Sequence, residues 1–153
     1  MDDLMREAIE ASLSSPNRTR KTGAALMTRS GEVLVGPNDF PPGIDDTEKR
    51  HAGEERYHWI EHAERNVLLQ AARKGVATEG SVMATPWFPC SDCARAIVGA
   101  GVGVLQCTEP DFDDPRWGEG FRRAKEMLLE AGVEVRFVNL DQTPSMETLA
   151  MRR

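Results

Sequence analysis

Two short motifs carry the residue types that could do chemistry in this chain. They are His62-Ala63-Glu64 and, further along, Pro89-Cys90-Ser91-Asp92-Cys93. One imidazole and two thiolates suit Zn²⁺, a borderline-soft cation that is usually bound in a tetrahedron. Three protein ligands leave a fourth position for water, which is typical of a catalytic zinc. We therefore predict a zinc site formed by His62, Cys90 and Cys93, with Glu64 beside it as the residue that handles protons.

The chemistry of such a site follows from the metal. Zinc lowers the pKa of a bound water molecule to roughly 7, which provides a nucleophile at neutral pH. This nucleophile can attack an electron-poor ring carbon that bears an amino group. Glu64 would accept the proton of the water, deliver it to the neighbouring ring nitrogen and then protonate the departing amine. The predicted products are ammonia and a ring carbonyl.

Three other interpretations use some of the same residues. Cys90 and Cys93 at a helix start could form a thioredoxin-like redox pair, which needs neither the histidine nor the glutamate. The run from His58 to His62 matches the H-x-x-E-H pattern of inverted zinc proteases, in which Glu61 would be the base. A structural zinc ribbon would need a fourth ligand, and the nearby candidates are His58 and Cys107. We interpret Cys107, in an apolar strand, as a core thiol.

Composition limits the class of protein. The 153 residues carry a formal net charge of −6. They predict one domain over residues 1–153, with a small-molecule partner and no nucleic-acid polymer, because polymer binders usually present a basic face. No apolar run reaches membrane-spanning length, and the acidic start Met1-Asp2-Asp3 is unlike a signal peptide. Three cysteines do not make a disulfide framework, so we expect a cytoplasmic protein without a membrane partner.

The elements that must position the site alternate between strands and helices, which indicates an α/β fold with helices packed on a mixed sheet. Gly75 stands where it would cap the helix that begins near His62, and Cys90 lies at the start of another helix. We expect a loop over Gly36–Gly43, a charged exposed insertion at about 45–57 and an ambiguous tail at about 143–153. Periodicity predicts helices over Asp3–Leu13, Glu61–Lys74, Ser91–Ala100 and Trp117–Ala131, and strands over Gly23–Thr28, Glu32–Val35, Ser81–Ala84, Gly103–Cys107 and Val133–Val138.

Two further segments could contact a substrate. Arg18, Arg20 and Lys21 form the densest basic patch of an acidic chain, either as a solvated loop or as a contact to a substrate phosphate. The rigid, aromatic segment Thr85–Pro89 should form a wall beside the site.

Taken together, these residues resemble the cytidine and deoxycytidylate deaminase superfamily. The resemblance extends from about Met5 to Val138, and Lys21–Ala24 and Asn38–Gly43 make it most similar to the deoxycytidylate branch. It rests on the runs His62–Val67, Trp87–Val98 and Ala100–Val102.

The resemblance implies a three-layer α/β/α domain with a central five-stranded mixed sheet. It also implies Zn²⁺ between the two helices that begin near His62 and Cys90, and assembly into dimers or larger homo-oligomers. Asn38 would hydrogen-bond the sugar or base, and the backbone of Ala84–Trp87 would meet the exocyclic amino group and the ring. The implied substrate contacts are Asn38, Ala63, Ala84, Trp87 and Pro89.

The leading hypothesis is a hydrolytic deaminase of deoxycytidylate (dCMP) or a related cytosine nucleotide. The alternative is a deaminase of a free nucleobase, a nucleoside or another aminated heterocycle such as guanine or a pterin. The aromatic pair Trp87-Phe88 favours that alternative, as does Thr108-Glu109-Pro110, which stands where the deoxycytidylate branch often has tyrosines. A tRNA-editing deaminase agrees less well with the acidic charge. A silent zinc-stabilised binding protein of the same fold would not need Glu64.

Overall fold

A computed structural model describes residues 3–140 of the chain. Five strands form one sheet between two layers of helices, as expected. The helices are α1 (Asp3–Ser12), α2 (Glu48–His51), α3 (Arg56–Trp59), α4 (Ala63–Lys74), α5 (Ser91–Gly99) and α6 (Gly118–Glu130). The strands are β1 (Gly23–Met27), β2 (Val33–Pro37), β3 (Val82–Ala84), β4 (Val104–Cys107) and β5 (Glu134–Phe137).

The sheet is mixed, with strand order β2-β1-β3-β4-β5. Strand β1 pairs antiparallel with both β2 and β3, whereas β3–β4 and β4–β5 are parallel. Each parallel pair is joined through a helix, α5 after β3 and α6 after β4. Helix α5 therefore begins close to the carboxyl end of β3, which brings Cys90 to one edge of the sheet.

Alternation along β1 divides the interior into two clusters. Ala24 and Leu26 face α4, α5 and α6, whereas Ala25 faces α1. The cluster under α4–α6 contains Val67 of α4, Ile97 of α5 and Leu128 of α6, with further buried aliphatic residues of the sheet. The apolar periodicity of α4 thus packs the helix on the sheet and fixes the direction of its N-terminal end.

Both ends of α4 agree with the sequence. Gly75 adopts the left-handed conformation, with φ of 70°, and its N–H bonds to the carbonyls of Ala71 and Ala72. A side chain would strain this backbone, so the glycine ends the helix as predicted. At the other end His62 is the N-cap residue in extended conformation.

Two segments contain more regular structure than the sequence predicted. Strand β2 continues through Gly36 to Pro37, where we expected a loop, and Pro37 is the register partner of Gly23. Because β2 is the edge strand, a terminal proline there costs no ladder bond. The charged insertion is exposed as expected, but it contains α2 and α3, neither of which has a buried residue. The tail at 143–153 lies outside the described residues.

Among residues 3–140, every helix is too short or too polar to cross a bilayer.

Close packing of α1 on β1 requires glycine at position 23. A Cβ there would lie 2.1 Å from the Ala8 carbonyl oxygen and 2.7 Å from the Ser12 nitrogen. We expect Gly23→Ala to lower the free energy of unfolding by about 2 kcal/mol or more, because backbone must move. Gly120→Ala is the control, since nothing lies within 4 Å of its added Cβ.

In α6 alanine should stabilise the protein at position 120 by up to about 1 kcal/mol. Urea unfolding of both variants measures the difference. Equal stability of Gly23→Ala and the parent protein would contradict the packing described here.

Candidate active site

Two helix N-termini meet at the site. His62 is the N-cap residue of α4 and Cys90 is the N-cap residue of α5, both with extended backbone, and Cys93 lies in the first turn of α5. The Nδ1 atom of His62 is 3.6 Å from the Sγ atom of Cys90 and 3.4 Å from that of Cys93. The three candidate ligand atoms all lie within 4.8 Å of one another. The predicted histidine and cysteines are therefore brought together.

The spacing of these atoms fits a tetrahedral zinc site. Zn–S bonds of about 2.3 Å and a Zn–N bond of about 2.0–2.1 Å require a nitrogen-to-sulfur distance of roughly 3.5 Å in a tetrahedron. The distances of 3.4 and 3.6 Å agree with that requirement. One imidazole with two sulfurs is also a donor set that zinc prefers. Among the described residues, His62, Cys90 and Cys93 could hold the metal.

The electrostatics of the two cysteines differ. Hydrogen bonds from Cys93 and His62 hold the pKa of the Cys90 thiol at about 4, well below its usual value. The same hydrogen bond and burial raise the pKa of Cys93, because a second thiolate beside the first is unfavourable without a cation. A metal cation would remove that conflict by binding both thiolates.

The other candidate ligands lie apart from this group. Cys107 is fully buried in β4, and burial raises the pKa of its thiol to about 12. His58 is exposed on α3. Neither residue joins the cluster of three within residues 3–140. Three protein ligands would leave a fourth position open, unlike the closed set of a structural zinc ribbon.

Glu64 lies in the first turn of α4 and is only 5% exposed. Burial raises the pKa of its carboxyl, and a hydrogen bond with Cys93 and the nearby His62 oppose that shift. A buried carboxyl beside a metal site is suited to proton transfer, since its pKa moves towards neutral pH. The groups that act on its carboxyl include the candidate ligands His62, Cys90 and Cys93.

Asn38, the residue expected to contact the sugar or base, is buried at the end of β2. Its Oδ1 accepts hydrogen bonds from the Ser15 hydroxyl at 2.6 Å and the Thr22 N–H at 3.0 Å. Its Nδ2 donates to the Arg20 carbonyl at 2.9 Å. In this structure Asn38 thus holds in place the basic loop, which is the segment that carries Arg18, Arg20 and Lys21. The sequence did not indicate this role.

The basic loop connects two sides of the molecule. Arg18 makes two hydrogen bonds to the carboxylate of Glu48 in α2, at 2.8 and 2.5 Å. The guanidinium of Arg20 lies 4.7 Å from the ring centre of Trp87, which is 47% exposed. Since Trp87 precedes Cys90 by three positions, Arg20 is held beside the cysteine motif. Lys21 is exposed at the end of the same loop.

The other predicted contact residues are buried. Ala63, Ala84 and Pro89 have almost no exposed surface, and Ala63 is the first residue of α4. Ala63 directly follows His62 and Pro89 directly precedes Cys90, whereas Ala84 is the last residue of β3, six positions before Cys90. In the aromatic segment Thr85–Pro89, the ring of Phe88 is buried against Phe112 and Phe121. The ring of Trp87 is exposed.

The structure adds two residues to the site region: Arg65, and Glu61, which the sequence suggested only as the base of a protease pattern. Glu61 Oε1 accepts the N–H of His62 at 2.9 Å and the Nε–H of Arg65 at 2.6 Å. Arg65 in turn donates from Nη1 to the Cys93 sulfur at 3.7 Å. Their i,i+4 spacing was the available signal, since it favours an ion pair at a helix start.

Comparison with known proteins agrees with this geometry. The protein-family model named cytidine and deoxycytidylate deaminase zinc-binding region matches residues 1–109 of this chain. An uncharacterised deaminase in the luxG 3′ region of Aliivibrio fischeri is 34% identical over 83% of this chain and 85% of the relative. A probable deoxycytidylate deaminase of Drosophila melanogaster is 27% identical over 87% of this chain and 69% of the relative.

Among solved structures, the dCMP deaminase of the cyanophage S-TIM5 in apo form is similar, with a TM-score of 0.69 and 26% identity. The similarity covers 89% of this chain and 94% of that one. The chain belongs to the cytidine and deoxycytidylate deaminase family, and it is a deaminase whose cofactor is Zn²⁺. The resemblance inferred from the motifs is confirmed.

The burial of Cys107 generates a test of the ligand set. We expect Cys107→Ala to retain one zinc per chain and to lose about 1 kcal/mol of stability, because it leaves a small cavity in the core. Cys93→Ala should lose most of the bound zinc. Elemental analysis of the purified variants measures the metal, and loss of zinc from Cys107→Ala would contradict this assignment.

Proposed function

We propose that this deaminase removes the amino group of dCMP or a related cytosine nucleotide, with release of ammonia. The observation that supports the proposal best is the convergence of His62, Cys90 and Cys93 beside the buried Glu64. The cyanophage S-TIM5 enzyme, which is 25% identical to this chain with a TM-score of 0.68, was crystallised with dCMP and dUMP. These two nucleotides differ by the proposed change.

In this proposal His62 Nδ1, Cys90 Sγ and Cys93 Sγ hold the zinc. When bound, zinc would supply a water molecule with a pKa of roughly 7 and hence a nucleophile at neutral pH. Glu64 would accept a proton from that water and deliver it to the pyrimidine nitrogen next to the attacked carbon. It would then take the remaining proton of the hydroxyl group added to that carbon and pass it to the departing amino group, so that water and substrate become ammonia and a carbonyl product.

The basic loop supports a nucleotide rather than a nucleoside. Arg18 is already paired with Glu48, so a substrate phosphate would have to compete with that carboxylate. Arg20 is held next to the cysteine motif by its contact with Trp87, and the exposed Lys21 follows it. We therefore assign the phosphate contact mainly to Arg20 and Lys21, with Arg18 linking the loop to the insertion.

One observation favours the phosphate-free alternative. The exposed ring of Trp87 offers a flat surface near the site, on which a purine or pterin ring could stack in place of the Arg20 guanidinium. An assay panel of dCMP, deoxycytidine, cytosine, guanine and a pterin, read by ammonia release, separates the two proposals. Faster turnover of the phosphate-free compounds would exclude the nucleotide assignment.

We also retain the proposal that the chain forms homo-oligomers, which size-exclusion chromatography with light scattering tests.

Glu64→Gln tests the proton-transfer role. The amide keeps the shape of the side chain but cannot accept and return a proton. We expect kcat to fall at least 100-fold, with zinc content and thermal stability retained. Steady-state ammonia release and elemental analysis of the same preparation measure both quantities. Turnover within a few-fold of the parent protein would remove Glu64 from the mechanism.

Arg20→Ala tests the phosphate contact. Loss of a charge-assisted hydrogen bond to phosphate should raise the KM for dCMP about 10-fold or more, and leave the KM for deoxycytidine nearly unchanged. Arg123→Ala is the control, because Arg123 is exposed on α6 and pairs with Glu119. The contrary outcome is an equal effect of Arg20→Ala on both substrates, which would indicate a structural role for Arg20.

A further inference from the structure

Arg65 occupies an unusual position for a surface-helix arginine. Its side chain is only 25% exposed, and its nitrogens contact Glu61, Cys93 and Asp92. Nε and Nη2 lie 2.6 and 2.5 Å from Glu61 Oε1. Nη1 lies 3.7 Å from Cys93 Sγ and 3.9 Å from Asp92 Oδ2. One guanidinium therefore connects the carboxylate before His62 with a candidate metal ligand on α5.

Glu61 is itself fixed from the other side. Its Oε1 accepts the backbone N–H of His62 at 2.9 Å. Its backbone forms an isolated antiparallel bridge with Asp39, with N–O distances of 2.8 and 3.1 Å. Glu61 is thus placed by contacts that do not involve Arg65. It can fix where the guanidinium lies, since the planar fork binds a carboxylate along one side and directs its remaining N–H elsewhere.

The physical effect of that N–H on sulfur is specific. A hydrogen-bond donor that faces a thiolate withdraws electron density from it, so the thiolate donates less electron density to a bound cation. The cation then polarises its other ligands more strongly. The interaction is strengthened because Arg65 is partly buried and Cys93 is fully buried, where charge-assisted hydrogen bonds are less screened than in water.

We propose that Glu61 and Arg65 are positioning residues for the metal centre: Glu61 holds the guanidinium so that its Nη1–H donates to the Cys93 sulfur. The inference rests on the proposed role of Cys93 as a zinc ligand. It adds two residues to the site, which act through Cys93, and it links the metal centre through Glu61 to the backbone of Asp39 next to Asn38.

The competing explanation is that Arg65 only joins α4 to α5 through Asp92. The variant Asp92→Asn distinguishes the two explanations, because it removes that ion pair and leaves the contacts of Arg65 with Glu61 and Cys93 in place. Asp92 is 63% exposed at its side chain, so the variant should fold normally. It is the matched control for Arg65→Gln and Glu61→Gln.

The experiment uses the full chain loaded with Co²⁺ in place of Zn²⁺. In Arg65→Gln and Glu61→Gln the sulfur-to-cobalt charge-transfer band should move to lower energy, because the sulfur loses its hydrogen-bond donor. Arg65→Lys should fall between the parent protein and Arg65→Gln, since it keeps the charge but not the fork. Asp92→Asn should behave like the parent protein.

Three results would overturn the inference. They are an unshifted band in folded Arg65→Gln, an unshifted band in Glu61→Gln, and a shift of equal size in Asp92→Asn. If Arg65→Gln fails to fold, the same criterion is applied to Arg65→Lys. A parent protein that shows no charge-transfer band with Co²⁺ would instead contradict the zinc assignment under the proposed function, so the two failures are distinguishable.

Discussion

The meeting of two helix N-termini is the arrangement on which the rest of the site depends. Helices α4 and α5 begin with His62 and Cys90 as their N-cap residues, and both helices are held on the same face of the sheet by one apolar cluster. The positive ends of both helix dipoles therefore point towards the site, where they favour thiolates and a carboxylate. Packing energy, which is large and non-specific, is what brings the few polar ligands to within bonding distance of one cation.

The two thiols and the carboxyl of the site have pKa values that are shifted in different directions. Hydrogen bonds from Cys93 and His62 lower the pKa of Cys90, whereas the hydrogen bond with Cys90 and burial raise the pKa of Cys93, and burial raises that of Glu64. Repulsion between the nearby negative groups adds to both increases. A divalent cation relieves that repulsion, and Arg65 adds a positive charge from the α4 side. Such a site is expected to be unfavourable without its metal and well balanced with it, which couples metal binding to the stability of the two helix starts.

Much of this could be predicted from the sequence, because the information is local. The apolar periodicity of α4 with Gly75, and the spacing of His62, Glu64, Cys90 and Cys93, report directly on helix ends and ligand chemistry. What could not be predicted depends on side chains that approach from distant elements. The hydrogen bond of Ser15 to Asn38, the contact of Arg20 with Trp87 and the Glu61–Arg65–Cys93 connection are of that kind. The end of β2 was misjudged because the proline rule applies to central strands, and β2 is at the edge.

The central claim is that one zinc ion is bound by one imidazole and two sulfurs. X-ray absorption at the zinc edge on freshly purified, untagged protein tests it most directly. The account predicts two sulfur neighbours at about 2.3 Å and two nitrogen or oxygen neighbours at about 2.0–2.1 Å, from the imidazole and a water molecule. A shell of three or four sulfurs, a shell without sulfur, or a protein that contains no zinc would contradict it.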